Sequence, residues 1–277
     1  MLFSRMVGGL GNQLFQTAAL LKYRRHKEKV IISFLGDIHI PKRENCLDYI
    51  FEKPKWLYYD DSRKLNQFTK FISRSSAYLR FGSYLPIVSI NDRNFNFNNS
   101  RNLLKNTLFL DGYFNNNWTY NSLNFAFKKL KLREIRLGNK YMKNCSEDVI
   151  IHIRGGDFLD ITNLNICKLE YYKKSIRYFI SRGYRSFRVV SEDQKYAGLL
   201  INQLKNYFID IQITKLKTDS IENDFNIIRS SRLAILSNST FSWWASFLSI
   251  AKKEFIVPNY FSLKEKRSLL PSEIIID

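Results

Sequence analysis

Residues 2–16 read LFSRMVGGLGNQLFQ. A short apolar run, Leu2 to Val7, ends in Gly8-Gly9-Leu10-Gly11. A helix then opens at Asn12 and is expected to reach Lys27, with Leu14, Phe15, Ala18 and Leu21 on one face. Val30 to Phe34 reads as the next strand. A strand, a glycine turn, a helix and a second strand are the usual start of an α/β domain.

Working outward, residues 35–110 alternate aromatic and basic residues without a clean period. Asp61–Ser73 has the spacing of an amphipathic helix. Asn91–Asn102 reads as loop, because asparagine side chains compete with the backbone for hydrogen bonds. Thr107–Leu110 reads as a strand closed by Asp111-Gly112, and the polar stretch Gly138–Ser146 reads as a linker. Beyond it strands alternate with helices: Val149–Ile153, Leu169–Ser181, Ser186–Val190, Tyr196–Tyr207, Ile209–Ile213, Ser220–Arg229, Arg232–Leu236, Phe241–Ile250 and Glu254–Val257. That alternation calls for a parallel sheet covered by helices.

The 277 residues carry 44 Lys+Arg against 25 Asp+Glu, a net charge of +19. Residues 1–147 hold 25 and 11 of these, and residues 148–277 hold 19 and 14. A basic half calls for an anionic partner: nucleic acid, an acidic lipid surface or a phosphorylated substrate. At 45% hydrophobic residues the chain is globular, and no run reaches the roughly 18–20 apolar residues of a membrane span. Arg5 and three glycines interrupt the place of a signal-peptide core, so a cytoplasmic location is expected. Cys46, Cys145 and Cys167 are odd in number and far apart, which reads as free thiols. Three histidines and no Asp-x-Asp predict no metal site and no cofactor.

Three stretches could carry chemistry. Gly8–Gln13 lies between strand and helix, where backbone amides meet a phosphate. A tight turn accounts for it equally well, since neither a Walker loop nor a full dinucleotide fingerprint is present. Ile151-His152-Ile153-Arg154-Gly155-Gly156-Asp157-Phe158 ends a strand, where ligands bind in open α/β sheets. Arg154 offers a fork of donors to an anion. His152, between two isoleucines, reads either as a structural histidine or as a proton carrier. Ser237-Asn238-Ser239-Thr240-Phe241-Ser242-Trp243-Trp244 precedes a helix, as one N-cap or as an anion cradle. Glu192, Asp193 and Asp224 supply carboxylates for sugar hydroxyls, a base edge or plain capping.

In this order GGLGNQLFQ, DGYF (residues 111–114), HIRGGDF and SNSTFSWWASFL resemble the α-1,2-fucosyltransferases of glycosyltransferase family 11. The resemblance implies a GT-B-like α/β fold with two Rossmann-like domains facing a cleft: residues 1–140, mainly on the acceptor side, and residues 141–277, which bind the GDP-sugar. It implies inverting, metal-independent transfer of L-fucose from GDP-fucose to O2 of a galactoside. The acceptor would be a glycan or lipid-linked oligosaccharide of a surface polysaccharide, with peripheral contact to an anionic membrane and no nucleic acid. By motif position, Arg154, Asp157 and His152 are the catalytic candidates. Gly9, Gly11, Asn12, Gln13, Arg154, Asp224, Ser239, Thr240 and Ser242 are the donor-binding ones. The chain departs from the family's His-x-Arg-Arg-Gly-Asp-Tyr at Gly155 and Phe158. Two rival expectations stand beside this one: a catalytically weak GDP-sugar-binding relative, suggested by Gly155, and a basic nucleic-acid-binding protein, suggested by the +19 charge and by 42 aromatics (22 Phe, 16 Tyr, 4 Trp) that could stack bases.

Overall fold

The computed structural model describes residues 2–34, 44–62, 67, 87–92, 107–115, 118–135, 148–156, 167–249, 254–259 and 273–276. The chain divides into two compact units, Met1–Arg133 and Glu134–Asp277. The linker expected at Gly138–Ser146 and most of the helix expected over Asp61–Ser73 and of the loop at Asn91–Asn102 lie outside the described residues.

The first unit holds a five-stranded sheet in the order β3-β2-β1-β5-β4, with every pairing parallel. Its strands are β1 (Leu2–Arg5), β2 (Val30–Ser33), β3 (Leu57–Tyr59), β4 (Ile87–Ile90) and β5 (Thr107–Leu110). Helix α1 spans Leu10–Tyr23 and α2 spans Tyr120–Phe127. The chain runs outward from β1 to β3, then returns on the other side of β1. The order therefore reverses between β1 and β5, and there Ser4 Oγ donates to the Leu110 carbonyl (3.0 Å) and Arg5 pairs with Asp111 (3.3 Å).

Helix α1 starts at Leu10, two residues earlier than the sequence suggests. The glycine turn itself makes this possible. Gly8 has φ +77°, a conformation that L side chains rarely adopt, and a Cβ there would collide with the Asn12 amide. Behind the turn, buried Gln16 accepts from the Val7 N–H (3.0 Å) and donates to the Val7 carbonyl (2.9 Å). Its side chain thus continues the hydrogen bonding of β1 past the strand's end.

The second unit holds a six-stranded, all-parallel sheet in the order β11-β10-β9-β6-β7-β8. These are β6 (Val149–His152), β7 (Ser186–Val190), β8 (Gln212–Lys215), β9 (Leu233–Ile235), β10 (Glu254–Val257) and β11 (Glu273–Ile275). The helices are α3 (Leu169–Ile180), α4 (Gln194–Tyr207), α5 (Ile221–Ser230) and α6 (Thr240–Phe247). Strand β6 is central and wholly buried, as its continuous Val-Ile-Ile run requires. Tyr172, Ile176 and Phe179 of α3, at helical spacing, join Ala197, Leu200 and Leu204 of α4 in one core with Ile151 and Val189. Helices α5 and α6 pack on each other, with the Phe225 and Phe241 rings edge to face at 5.4 Å.

The strand expected over Ile209–Ile213 begins three residues later, because Ile209 is 87% exposed and the chain enters the sheet only at Gln212. Trp243 and Trp244, 2% and 0% exposed, are core residues, packed on each other at 5.3 Å. They belong to the helix's inner face and not to an anion cradle.

Candidate functional site

In an open α/β sheet, ligands bind where the strand order reverses, at the carboxyl ends of the strands. In the second unit that point lies between β6 and β9. The HIRGG turn leaves β6 there, and the polar run Ser237–Ser242 leaves β9. The two are joined: His152 Nδ1 lies 2.7 Å from Ser237 Oγ, and the His152 ring packs against Phe241 at 5.7 Å.

His152 is 2% exposed. Burial, and secondarily the Arg154 charge, push its pKa down to about 3. A ring so held is neutral at physiological pH and is a weak base. Such a ring is suited to hold Ser237 in place. The shift has a thermodynamic consequence. Below pH 6.5 the unfolded chain protonates this ring, whereas the folded chain resists until about pH 3. Stability from this residue is therefore lost as pH falls through that window, at about 1.4 kcal/mol per pH unit. Between pH 6.5 and 5, urea denaturation should show wild type losing about 2 kcal/mol more than His152→Asn. Parallel pH profiles of the two proteins would mean that His152 is not held neutral.

Arg154, half-buried, pairs through Nη1 with Glu192 Oε1. The register explains the meeting. His152 stands opposite Val190 in the β6–β7 pairing, so the residues two steps beyond each, 154 and 192, leave the sheet side by side. Asp193, next in line, caps α4 by accepting from the Tyr196 N–H (2.9 Å) and also accepts from the Gly156 N–H (2.7 Å). Those backbone donors hold its carboxyl below the usual range. A Cβ at Gly155 would lie 2.5 Å from Asp193 Oδ2 and 2.8 Å from its Cβ. Glycine at 155 and the Asp193 clamp are one arrangement, and the family's usual second arginine does not fit beside it.

The polar run is largely consumed by its own turn. Ser239 is the N-cap of α6 and accepts from the Phe241 N–H (3.3 Å). Ser242, fully buried, donates to the carbonyls of Ser237 (3.4 Å) and Ser239 (3.3 Å). Both were expected at the donor, and the structure gives their hydroxyls to the backbone. Thr240, half-buried at the first position of α6, is the member of the run that reaches the surface. Asp224, in the first turn of α5, keeps Oδ1 buried with no hydrogen-bond partner among the described residues. Desolvation raises its pKa, partly countered by a hydrogen bond from Thr218. Asp157 lies outside the described residues.

The remaining candidates belong to the first unit. Gly9 is exposed and forms the N-cap of α1. The N–H groups of Asn12 and Gln13 both donate to the Gly9 carbonyl (3.0 and 3.1 Å), so these amides serve the helix. Gln13 is buried. Its side chain bonds the carbonyls of Gly8 (3.3 Å) and Glu44 (2.9 Å) and accepts from the Cys46 N–H (3.2 Å), tying residues 44–46 to the turn. Gly11 is buried within the first helical turn, and Asn12 is half-buried over Gly8. The DGYF segment is held by Asp92, which accepts from the N–H groups of Tyr113 (3.0 Å) and Phe114 (2.6 Å).

Sequence reasoning did not pair Arg154 with Glu192, His152 with Ser237, or Gln16 with Val7. Strand register, known only once the sheet order is fixed, finds the first two. Among the described residues, no group of three His, Cys, Asp or Glu could hold a metal ion, and no helix is long and apolar enough to cross a membrane.

Two solved structures show the same architecture at the threshold of fold similarity. An E. coli ADP-heptose LPS heptosyltransferase II superposes with a TM-score of 0.50 at 12% identity, covering 99% of this chain and 89% of that one. POFUT1 in complex with GDP gives a TM-score of 0.50 at 12% identity, covering 92% and 97%. Two parallel sheets, each with its motif at the reversal of strand order, define a glycosyltransferase fold of the GT-B type. Residues 82–269, which include β4, β5 and the whole Arg154 site, match glycosyl transferase family 11, and the chain belongs to that family. Among curated proteins it is 24% identical to the O-antigen biosynthesis glycosyltransferase WbnK of Escherichia coli, over 92% of this chain and 93% of that one. It is 26% identical to an alpha-1,2-colitosyltransferase of Escherichia coli, over 88% and 86%. The protein is a glycosyltransferase.

Proposed function

We propose that this glycosyltransferase moves L-fucose from GDP-fucose to O2 of a galactoside, with inversion and without a metal ion. The observation that carries the reading is Arg154, two residues past the end of β6 at the switch point of the second unit and paired with Glu192. In such a transfer the acceptor oxygen bonds to the anomeric carbon as the bond from that carbon to the diphosphate oxygen breaks. Charge then accumulates on the departing diphosphate. Arg154 and the positive end of α6 at Thr240 are the groups that would meet it. The buried, unpartnered Asp224 Oδ1 is suited to accept from the N–H edge of guanine, which would satisfy a costly orphan acceptor. The acceptor proton has two destinations, Asp157 or the leaving phosphate itself. The GDP complex of the structural relative and the α-1,2 linkage named for the colitosyltransferase support the donor and the linkage. The acceptor is a galactoside-containing glycan or lipid-linked oligosaccharide, met at the cytoplasmic face of an anionic membrane.

Calorimetric titration with GDP, with UDP as control and EDTA present, tests this reading. Micromolar binding of GDP alone is expected, followed by release of GDP when GDP-fucose and a galactoside are supplied. Binding of neither nucleotide would overturn the donor assignment. Gly155 favours one second reading, a GDP-sugar-binding relative with little catalysis. It predicts the same titration and no turnover.

A further inference from the structure

The opposite end of the second unit's sheet, where the strands begin, carries an unexplained surface. At that end Arg177 and Lys205, in the last turns of α3 and α4, are exposed, as are Arg185 and the Arg182 that pairs with Glu254; Asp210 is the exposed carboxylate beside them. Arg177 and Lys205 flank an apolar projection. After α4 ends at Tyr207, the chain turns through Phe208 and Ile209 before entering β8. Ile209 is 87% exposed and Tyr207 is 47% exposed. Lys173 Nζ lies 4.3 Å from the centre of the Tyr207 ring, and the Arg177 guanidinium lies 5.0 Å from it and bonds its hydroxyl. Beside them an open groove of about 380 Å³ is lined by Lys205, Phe208, Ile209, Ile211, Gln212, Ile213 and Thr214.

We propose that this surface docks the protein on an anionic lipid bilayer. Ile209 and Tyr207 enter the headgroup layer, and Arg177 and Lys205 meet lipid phosphates. The combination discriminates between partners. Nucleic acid would account for the cations but offers nothing to an isoleucine held almost wholly in water. A bilayer interface takes both, with aromatic rings at headgroup level and basic side chains at the acidic surface. Docking at this end leaves the carboxyl ends of the strands, with Arg154, turned away from the lipid. That suits an acceptor whose growing sugar end projects from the membrane. The inference shares with the proposed function only the idea of a membrane-borne acceptor, and lipid binding is measured without turnover, so the two fail separately.

The experiment is co-sedimentation of the full chain with vesicles of phosphatidylcholine alone or with about 30% phosphatidylglycerol, at about 0.15 M salt. Binding is expected to the anionic vesicles only. Ile209→Asp and the double variant Arg177→Glu/Lys205→Glu should each weaken it at least tenfold while leaving the thermal melt and GDP titration unchanged. Equal binding to both vesicle types, or full binding by both variants, would overturn the assignment. So would retention of a single-stranded RNA oligonucleotide at that salt with no vesicle binding, which would transfer the surface to nucleic acid.

Discussion

Arg154→Ala is expected to lower kcat by about 10²–10³ while leaving the melting temperature nearly unchanged. The rate figure is the usual cost of removing one preorganised donor from a developing anion. The small effect on stability follows from the partner. Arg154 pairs with a Glu192 that is itself 45% exposed, and such ion pairs contribute about 0–1 kcal/mol. The two readouts therefore separate: transfer falls by orders of magnitude, and the thermal transition moves by a few degrees at most. Arg154→Lys should recover only part of the rate, because an ammonium keeps the charge and loses the two-pronged geometry. Steady-state kinetics with GDP-fucose and a galactoside, alongside a thermal melt, make the check. A kcat near wild type in the alanine variant would remove the diphosphate from Arg154.

Gly155→Arg, which restores the residue usual in the family, is expected to harm rather than help. A side chain at 155 must displace Asp193, whose carboxylate lies 2.5 Å from the position of the new Cβ. Displacement opens two hydrogen bonds, from Tyr196 and Gly156, and removes the cap of α4. Loss of a cap of this kind costs about 0.5–2 kcal/mol. Asp193→Gly loses the same carboxylate by another route and also clears its Cβ, which would stand 2.8 Å from the new one. The double variant Gly155→Arg/Asp193→Gly should therefore be no less stable than the worse of the two single variants, a non-additivity that a double-mutant cycle measures directly. Simple addition of the two losses would mean that Gly155 and Asp193 are not coupled. Activity in the double variant is informative as well. A gain over Asp193→Gly alone would show that space, and not catalytic need, excludes the second guanidinium.

Much of the second unit was legible from the sequence. Val149–Ile151 is a β-branched run with no polar interruption, and the segments 186–190 and 254–257 are bounded by polar residues, so their limits needed no tertiary information. The first unit was less readable. Strands β3 and β4 are three and four residues long, too short to establish a period, and α2 is eight residues opened by a Thr119–Ser122 capping box. The error at Ile209 has a physical cause: an exposed isoleucine mimics a strand residue in any count of apolar positions. At the candidate site, residue types identified the right turns but not what each side chain does. Ser239, Ser242 and Gln13 are polar and lie in motifs, yet their hydrogen bonds close on the backbone. A one-dimensional pattern shows that a polar group is present, and only its surroundings show whether that group is already satisfied.

The reversal of strand order also has a consequence for biosynthesis. Strand β1 cannot gain its second neighbour until β5 exists, since Leu2 aligns with Leu108. At about 5–20 residues per second, a ribosome takes roughly 5–20 s to deliver that partner. Strand β6 waits in the same way for β9, with Val149 aligned to Leu233. During each interval a strand that ends up in the interior of its sheet has one open edge, which is the condition under which nascent chains attract chaperones or one another. Slower growth at reduced temperature and a supply of holdase are the natural conditions for producing this protein in soluble form.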